Sequence, residues 1–196
     1  MRIAIIVFDQ MTTLDFAGFY EAIPWMLILK AKEEVSWELC SNKEEITDDR
    51  GMTIKVKQVY PDLSQFNIVF IPGGLSTRKL RFDIEFISWI QSARNAEYKV
   101  SVCTGALMWG AAGLLEGKKA TTNPSAYELL EPYCTEVVKA RIVRDGNIIT
   151  SGGASASIDV GLYLIELLTS SDFVQQVQEK MDYPFYRPGQ LSDIYV

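Results

Sequence analysis

The chain predicts an α/β protein, with a doubly wound, mostly parallel sheet and helices on both faces. Short runs at residues 2–8, 35–41, 67–71 and 99–102 read as strands; 2–8 is continuously apolar, the pattern of a parallel strand covered on both faces, 67–71 is a further buried run, and 99–102 alternates. They alternate with stretches that place apolar residues at helical spacing, which supply the crossovers a parallel sheet needs. Small and reactive side chains gather in loops that follow these runs, at the edge where open α/β sheets bind ligands. A chain of 196 residues suffices for one sizeable core and is short for two, so residues 1–196 are expected to form a single domain.

The first run, residues 2–8, is the candidate central strand. After a polar loop, a helix is expected over residues 14–23, with Asp15 as its first-turn acid and Pro24 kinking or restarting it near Trp25. Residues 35–41 form the second strand, 42–51 a polar surface turn, and 52–57 an edge strand or hairpin arm. The third buried strand, 67–71, runs directly into Pro72-Gly73-Gly74-Leu75, and residues 83–95 read as an amphipathic helix. Beyond the strand at 99–102, Pro124 holds Asn123 extended, and Ser125 is placed to cap a helix over 126–130. Asp145-Gly146 between residues 137–143 and 147–150 is a hairpin signal. Residues 151–159 are small and flexible, 160–168 a strongly apolar helix, and Asp172 opens a last amphipathic helix. The tail, 183–196, is too aromatic to be left in solvent and is expected to dock on its own or a neighbouring subunit.

Composition removes several classes of function. The net charge is −6 and no Lys/Arg cluster is present, which argues against nucleic acid or an anionic membrane as partner. The amino-terminal apolar run is too short and too soon charged for a signal peptide, so a cytoplasmic location is expected. Three cysteines, without C-x-x-C spacing, make neither a disulfide framework nor a zinc knuckle. The histidine count is zero, which excludes a Cys-His or Ser-His-Asp triad within the chain and any histidine-ligated metal. No metal or cofactor is expected.

The strand 99–102 ends and an apolar helical pattern begins at Cys103, with no breaker before Gly113. A side chain on so abrupt a turn is pushed out of the sheet. Its sulfur then lies near the positive end of a helix, which favours thiolate and makes Cys103 a candidate nucleophile. A buried core cysteine is the plainer alternative. Gly73 and Gly74 can turn backbone N–H groups toward an anion, or form only a tight turn. Asp15 offers a carboxyl group, with helix capping as its structural alternative. Loop placement brings Asp15, Gly73, Gly74 and Cys103 to one crevice, and Phe16, Phe19, Tyr20, Trp25 and Trp109 could line it or pack in the core.

Val102-Cys103-Thr104-Gly105-Ala106, Ile71-Pro72-Gly73-Gly74, Leu14-Asp15-Phe16-Ala17-Gly18, Ala120-Thr121-Thr122 and Ser151-Gly152-Gly153 together resemble the ThiJ/PfpI superfamily. The resemblance spans residues 2–168. It implies a flavodoxin-like fold related to class I glutamine amidotransferases, a cysteine nucleophile elbow, and a homodimer. Within the superfamily the chain is most similar to the isonitrile hydratase-like branch and to amidase-like domains of some transcription regulators. That branch converts an isonitrile to an N-substituted formamide. Carried over, Cys103 is the nucleophile and Asp15 the general acid/base; Thr104 holds substrate or water, and the amides of Gly74 and Thr104 steady negative charge. An isonitrile turns electrophilic only once protonated or polarised, so a neutral carboxylic acid is the partner needed, and Asp15 and Cys103 could share one proton.

Many superfamily members have histidine after the Thr-Thr pair, where this chain has Asn123. That departure weakens the protease and glyoxalase-like or deglycase readings, and leaves Asn123 as a substrate-binding or turn residue. Two further alternatives are a redox or stress-responsive protein with an oxidisable Cys103, and a catalytically silent binding domain.

Overall fold

A computed structural model describes residues 1–189 and 194–195. An eight-stranded sheet forms the centre, in the spatial order Ile194–Tyr195, Ile142–Asp145, Ile148–Ser151, Tyr98–Ser101, Ile68–Ile71, Arg2–Ile6, Ser36–Ser41, Gln58–Val59. Every pairing in it is parallel except the hairpin of Ile142–Asp145 with Ile148–Ser151, which turns at Gly146 with φ of 64°. From the first strand the chain moves outward through Ser36–Ser41 to the edge, then returns to lay Ile68–Ile71 on the first strand's other side. That reversal is a topological switch point, and the crevice beyond its carboxyl ends is where such sheets hold ligands.

The strands are nearly continuous in apolar side chains because helices cover both faces: Ile3, Ile5, Ile68, Phe70 and Val100 are all 0% exposed. Phe19, from the helix Thr13–Ala22, stacks on Phe70 with ring centres 3.8 Å apart. The same helix lies close against Ala156–Leu168, because Gly18 and Gly161 leave no side chain between them. Ser157 Oγ donates to the Leu14 carbonyl at 2.9 Å across that contact. Asp15 therefore sits on a helix locked to the core on one side and to the sheet on another.

Several local expectations change in three dimensions. The stretch 42–51 is no mere turn: Glu45–Thr47 pairs antiparallel with Thr53–Lys55 in a small separate sheet, since Ile46 finds full burial there. The expected strand 137–143 divides into Glu136–Val137, paired with Lys119–Ala120, and the central-sheet strand Ile142–Asp145. The small-residue stretch 151–159 is ordered by packing. Ser151 belongs to a strand and the apolar helix already begins at Ala156.

The described part of the tail packs on its own chain. Gln178 Nε2 donates to the carbonyls of Tyr183 and Tyr186, at 2.9 and 2.6 Å, and the Tyr186 hydroxyl donates to the Glu166 carboxylate. Ile194–Tyr195 extends the sheet beside Ile142 and Val143. Residues 190–193 and 196, which also belong to the expected docking tail, lie outside the described residues.

Candidate active site

Cys103 follows the strand Tyr98–Ser101 with φ of 54°, in the left-handed region that non-glycine residues avoid at a cost of about 1–3 kcal/mol. Neighbouring backbone holds it there. Its N–H donates to the Gly152 carbonyl at 2.6 Å, and Thr122 Oγ1 donates to the Cys103 carbonyl at 2.7 Å. The chain then makes a tight turn over Cys103–Gly105 and a short helix, Ala106–Ala111. The long helix expected through residue 112 is shorter than its sequence pattern, and its first turn is drawn close by Gly105, where a Cβ would stand 2.3 Å from the Ile71 carbonyl oxygen.

Asp15 is 0% exposed and lies beside Gly73 and Cys103, behind the residues that line the crevice. It caps nothing. The helix's first N–H, from Thr13, is met instead by Asp49 Oδ1 at 3.3 Å. Asp15 Oδ2 accepts from the Gly73 N–H at 2.9 Å, while Oδ1 is buried without a well-formed hydrogen bond among the described residues. Gly73, Asp15 and Cys103 pack tightly: a Cβ on Gly73 would stand 2.7 Å from both Asp15 Oδ2 and Cys103 Cβ, and 2.6 Å from the Thr104 nitrogen.

The remaining candidates are also present, with altered partners. The Gly74 N–H donates to Thr104 Oγ1 at 3.0 Å, and Thr77 Oγ1 donates to the same oxygen at 2.9 Å. The amides of Gly73 and Gly74 and the Thr104 hydroxyl are thus committed within the protein, so an incoming anion would have to displace these bonds. The Thr104 backbone N–H is the amide that favours charge on the Cys103 sulfur. Asn123 Oδ1 accepts from the Ser125 N–H at 3.0 Å and from Ser125 Oγ at 2.8 Å. Asn123 is therefore the cap, not Ser125, and its side-chain amide is left as a donor to the sulfur.

A cavity of about 180 Å³ opens over these groups, lined by Cys103, Thr104, Gly74, Asn123, Ser125, Thr12, Leu75 and Arg78. Phe16, Phe19, Tyr20, Trp25 and Trp109 do not line it; Phe19 and Trp109 are 0% exposed and belong to the core. Arg78 went unrecognised in the sequence because only folding carries Thr77–Leu80 to Cys103. A larger cavity, about 480 Å³, lies against residues 175–188, away from this chemistry.

The electrostatics reverse one expectation. Burial raises the Asp15 carboxyl from 3.8 to about 6; the Cys103 thiol and the Gly73 amide oppose the rise, and the Asp49 charge adds to it. Burial, followed by the Asp15 charge, pushes the Cys103 thiol up from 9.0 to about 12, against the Thr104 amide and Asn123. A resting thiolate is therefore not favoured. That rise corresponds to roughly 4 kcal/mol, whereas a helix end contributes about 0.3–1 kcal/mol and here belongs to a short helix. At neutral pH the stable form is thiol beside carboxylate, one proton held between two groups that resist joint ionisation.

Because Gly73 is the floor under both groups, Gly73→Ala is expected to push Asp15 and Cys103 apart and to slow Cys103-dependent turnover about 100-fold, with the chain still folded. Circular dichroism and steady-state rates measured together check this; full activity in the alanine variant would contradict the packing described.

A parallel α/β sheet with a cysteine on a strained strand-to-helix turn, facing an acid from the first helix, defines a class of single-cysteine-site proteins. The sequence pattern of the DJ-1/PfpI family matches residues 1–167, and the chain belongs to that family. It is 35% identical over 185 residues to the isonitrile hydratase of Pseudomonas putida, covering 93% of this chain and 78% of that protein. It is 28% identical over 109 residues to a deglycase from Pyrococcus horikoshii, covering 54% of this chain and 66% of that one. A ThiJ/PfpI family protein from Pseudomonas syringae superimposes with a TM-score of 0.86 at 28% identity, covering 97% of this chain and 78% of the other. Among the described residues no helix is long and apolar enough to cross a membrane.

Proposed function

We propose that the protein is a cysteine-dependent hydratase of small electrophilic carbon compounds, converting an isonitrile to an N-substituted formamide. The observation that carries this reading is the buried Asp15 carboxyl in electrostatic contact with Cys103, a cysteine that lines a cavity. The similarity to the Pseudomonas putida isonitrile hydratase supports it.

The resting proton distribution suits the reaction. Ionised Asp15 takes the thiol proton as Cys103 Sγ approaches, and the carboxylic acid so formed delivers that proton to the terminal carbon of R–N≡C. The C–S and C–H bonds formed there give the thioimidate R–N=CH–S–Cys103. Water then adds to the same carbon, passing one proton to Asp15, which delivers that proton to the nitrogen. Collapse of R–NH–CH(OH)–S–Cys103 breaks the C–S bond, and the hydroxyl proton is lost as the sulfur is reprotonated. The sum is R–N≡C plus H2O giving R–NH–CHO. Asn123 and the Thr104 amide steady the sulfur while it carries charge.

Purified protein incubated with a panel of isonitriles, cyclohexyl isocyanide among them, is expected to yield the formamides, followed by mass spectrometry. Because Asp15 must begin as carboxylate, kcat/KM should rise with pH along a limb centred near 6 and fall away below it. A pH-independent rate between 5 and 8 would remove Asp15 from the mechanism.

The redox reading is weaker, because oxidation follows thiolate character and Cys103 is held as thiol. A homodimer and a cytoplasmic location go with the hydratase reading; sedimentation velocity tests the dimer and subcellular fractionation the location.

A further inference from the structure

The cavity over Cys103 contains one charged side chain that the proposed chemistry leaves unused. Arg78, on the short helix Thr77–Leu80, is the charged residue in its lining. It forms no ion pair among the described residues, where the acids and bases that do pair lie elsewhere. Its hydrogen bond is a long one, 3.4 Å from the guanidinium to Ser125 Oγ. Ser125 Oγ donates in turn to Asn123 Oδ1 at 2.8 Å, and the Asn123 amide serves the Cys103 sulfur. The guanidinium and the sulfur thus face one cavity, linked around its wall by Ser125 and Asn123.

A half-buried arginine without a carboxylate partner is an unfilled fork of donors. Its planar geometry matches a carboxylate through two parallel N–H···O bonds. The setting makes the cation more telling: Asp15 and Asp49 lie close enough for the Asp49 charge to raise the Asp15 carboxyl, and the chain carries a net charge of −6. An anion entering this crevice would be repelled unless a positive group received it. A neutral alkyl isonitrile would make no use of such a group.

We propose that Arg78 selects substrates that carry a carboxylate, holding it on the guanidinium while their reactive carbon reaches Cys103 Sγ. This rests on the hydratase reading above and narrows its substrate to short isonitrile acids. The length follows from the cavity, about 180 Å³, against the ~300 Å³ at which sites for drug-sized ligands begin.

The test compares isocyanoacetate with its methyl ester, which differ in charge far more than in size. The protein is expected to favour the acid at least tenfold in kcat/KM, chiefly through KM. Arg78→Gln should reduce that acid-to-ester ratio tenfold or more, and Arg78→Lys should retain part of it. A ratio equal in the parent and in Arg78→Gln overturns the proposal, as does a preference for the ester. Alkylation provides a readout that does not need hydration. The ratio of Cys103 modification by iodoacetate to that by iodoacetamide, followed by intact mass, should fall tenfold in Arg78→Gln, and an unaltered ratio overturns the proposal. Loss of that ratio with no formamide from either isonitrile would reject the hydratase reading while upholding anion selection by Arg78.

Discussion

Cys103→Ala is expected to abolish formamide formation, a loss of at least about 1,000-fold, while leaving the chain folded. The sulfur is the atom to which the isonitrile carbon bonds, and no second thiol lines the cavity to replace it. Cys40 is buried within the sheet strand Ser36–Ser41 with its thiol also pushed up to about 12, and Cys134 donates to the Leu130 carbonyl, at 3.7 Å, outside the cavity lining. Serine at either of those positions should therefore leave turnover close to the parent's. The fold survives the alanine because the bonds that hold position 103 are made by its backbone, to Gly152 and Thr122. Intact mass of the parent during turnover should show a thioimidate adduct that Cys103→Ala lacks. Formamide produced at the parent rate by Cys103→Ala would end the mechanism.

Asp15→Asn should have opposite effects on turnover and on the thiol. Removing the proton carrier is expected to cost about 100- to 10,000-fold in kcat and to erase the limb near pH 6. It also removes the negative charge that, after burial, is the largest influence raising the Cys103 thiol. Alkylation of Cys103 at a fixed pH near 8 should therefore become faster, by tenfold or more, in a variant that turns over more slowly. A simple collapse of the site would slow both.

The same substitution bears on stability, and here the sign is unusual for an acid. The folded-state value of Asp15, about 6, lies above the ordinary 3.8, so the folded chain holds this proton more tightly than the unfolded chain does. Asp15 therefore withdraws stability as pH rises from about 4 through 6, by an amount on the order of 3 kcal/mol once ionised. Asparagine can keep the bond from the Gly73 N–H through its own oxygen and carries no charge. Asp15→Asn should raise the melting temperature at pH 7 and change it little at pH 4, as scanning calorimetry will show.

Much of the sheet is legible before folding. The runs at 2–8 and 67–71 are nearly continuous in apolar residues and those at 35–41 and 99–102 alternate, and each pattern is a local property of its run. The hairpin at Asp145-Gly146 is legible for the same reason, since a positive φ at Gly146 is a demand a short stretch can announce. Glu45–Thr47 is not: three residues with one apolar side chain carry no period, and only pairing with Thr53–Lys55 makes them a strand. The start of the last apolar helix at Ala156 is hidden likewise, because the small residues before Val160 are held by packing on Gly18 and Leu14.

What the sequence determined by itself is the architecture and the convergence of Asp15, Gly73, Gly74 and Cys103 on one edge, because strand order and loop position follow from local periodicity and chain topology. Tertiary structure alone decided what those groups can do there. It gave the capping task to Asp49 and buried Asp15, tied the Gly74 amide to Thr104, turned Asn123 toward the sulfur, and brought Arg78 into the cavity. It also decided which group keeps the proton. A protonation state depends on lost water and on charges brought near from distant parts of the chain, and no stretch of sequence contains either.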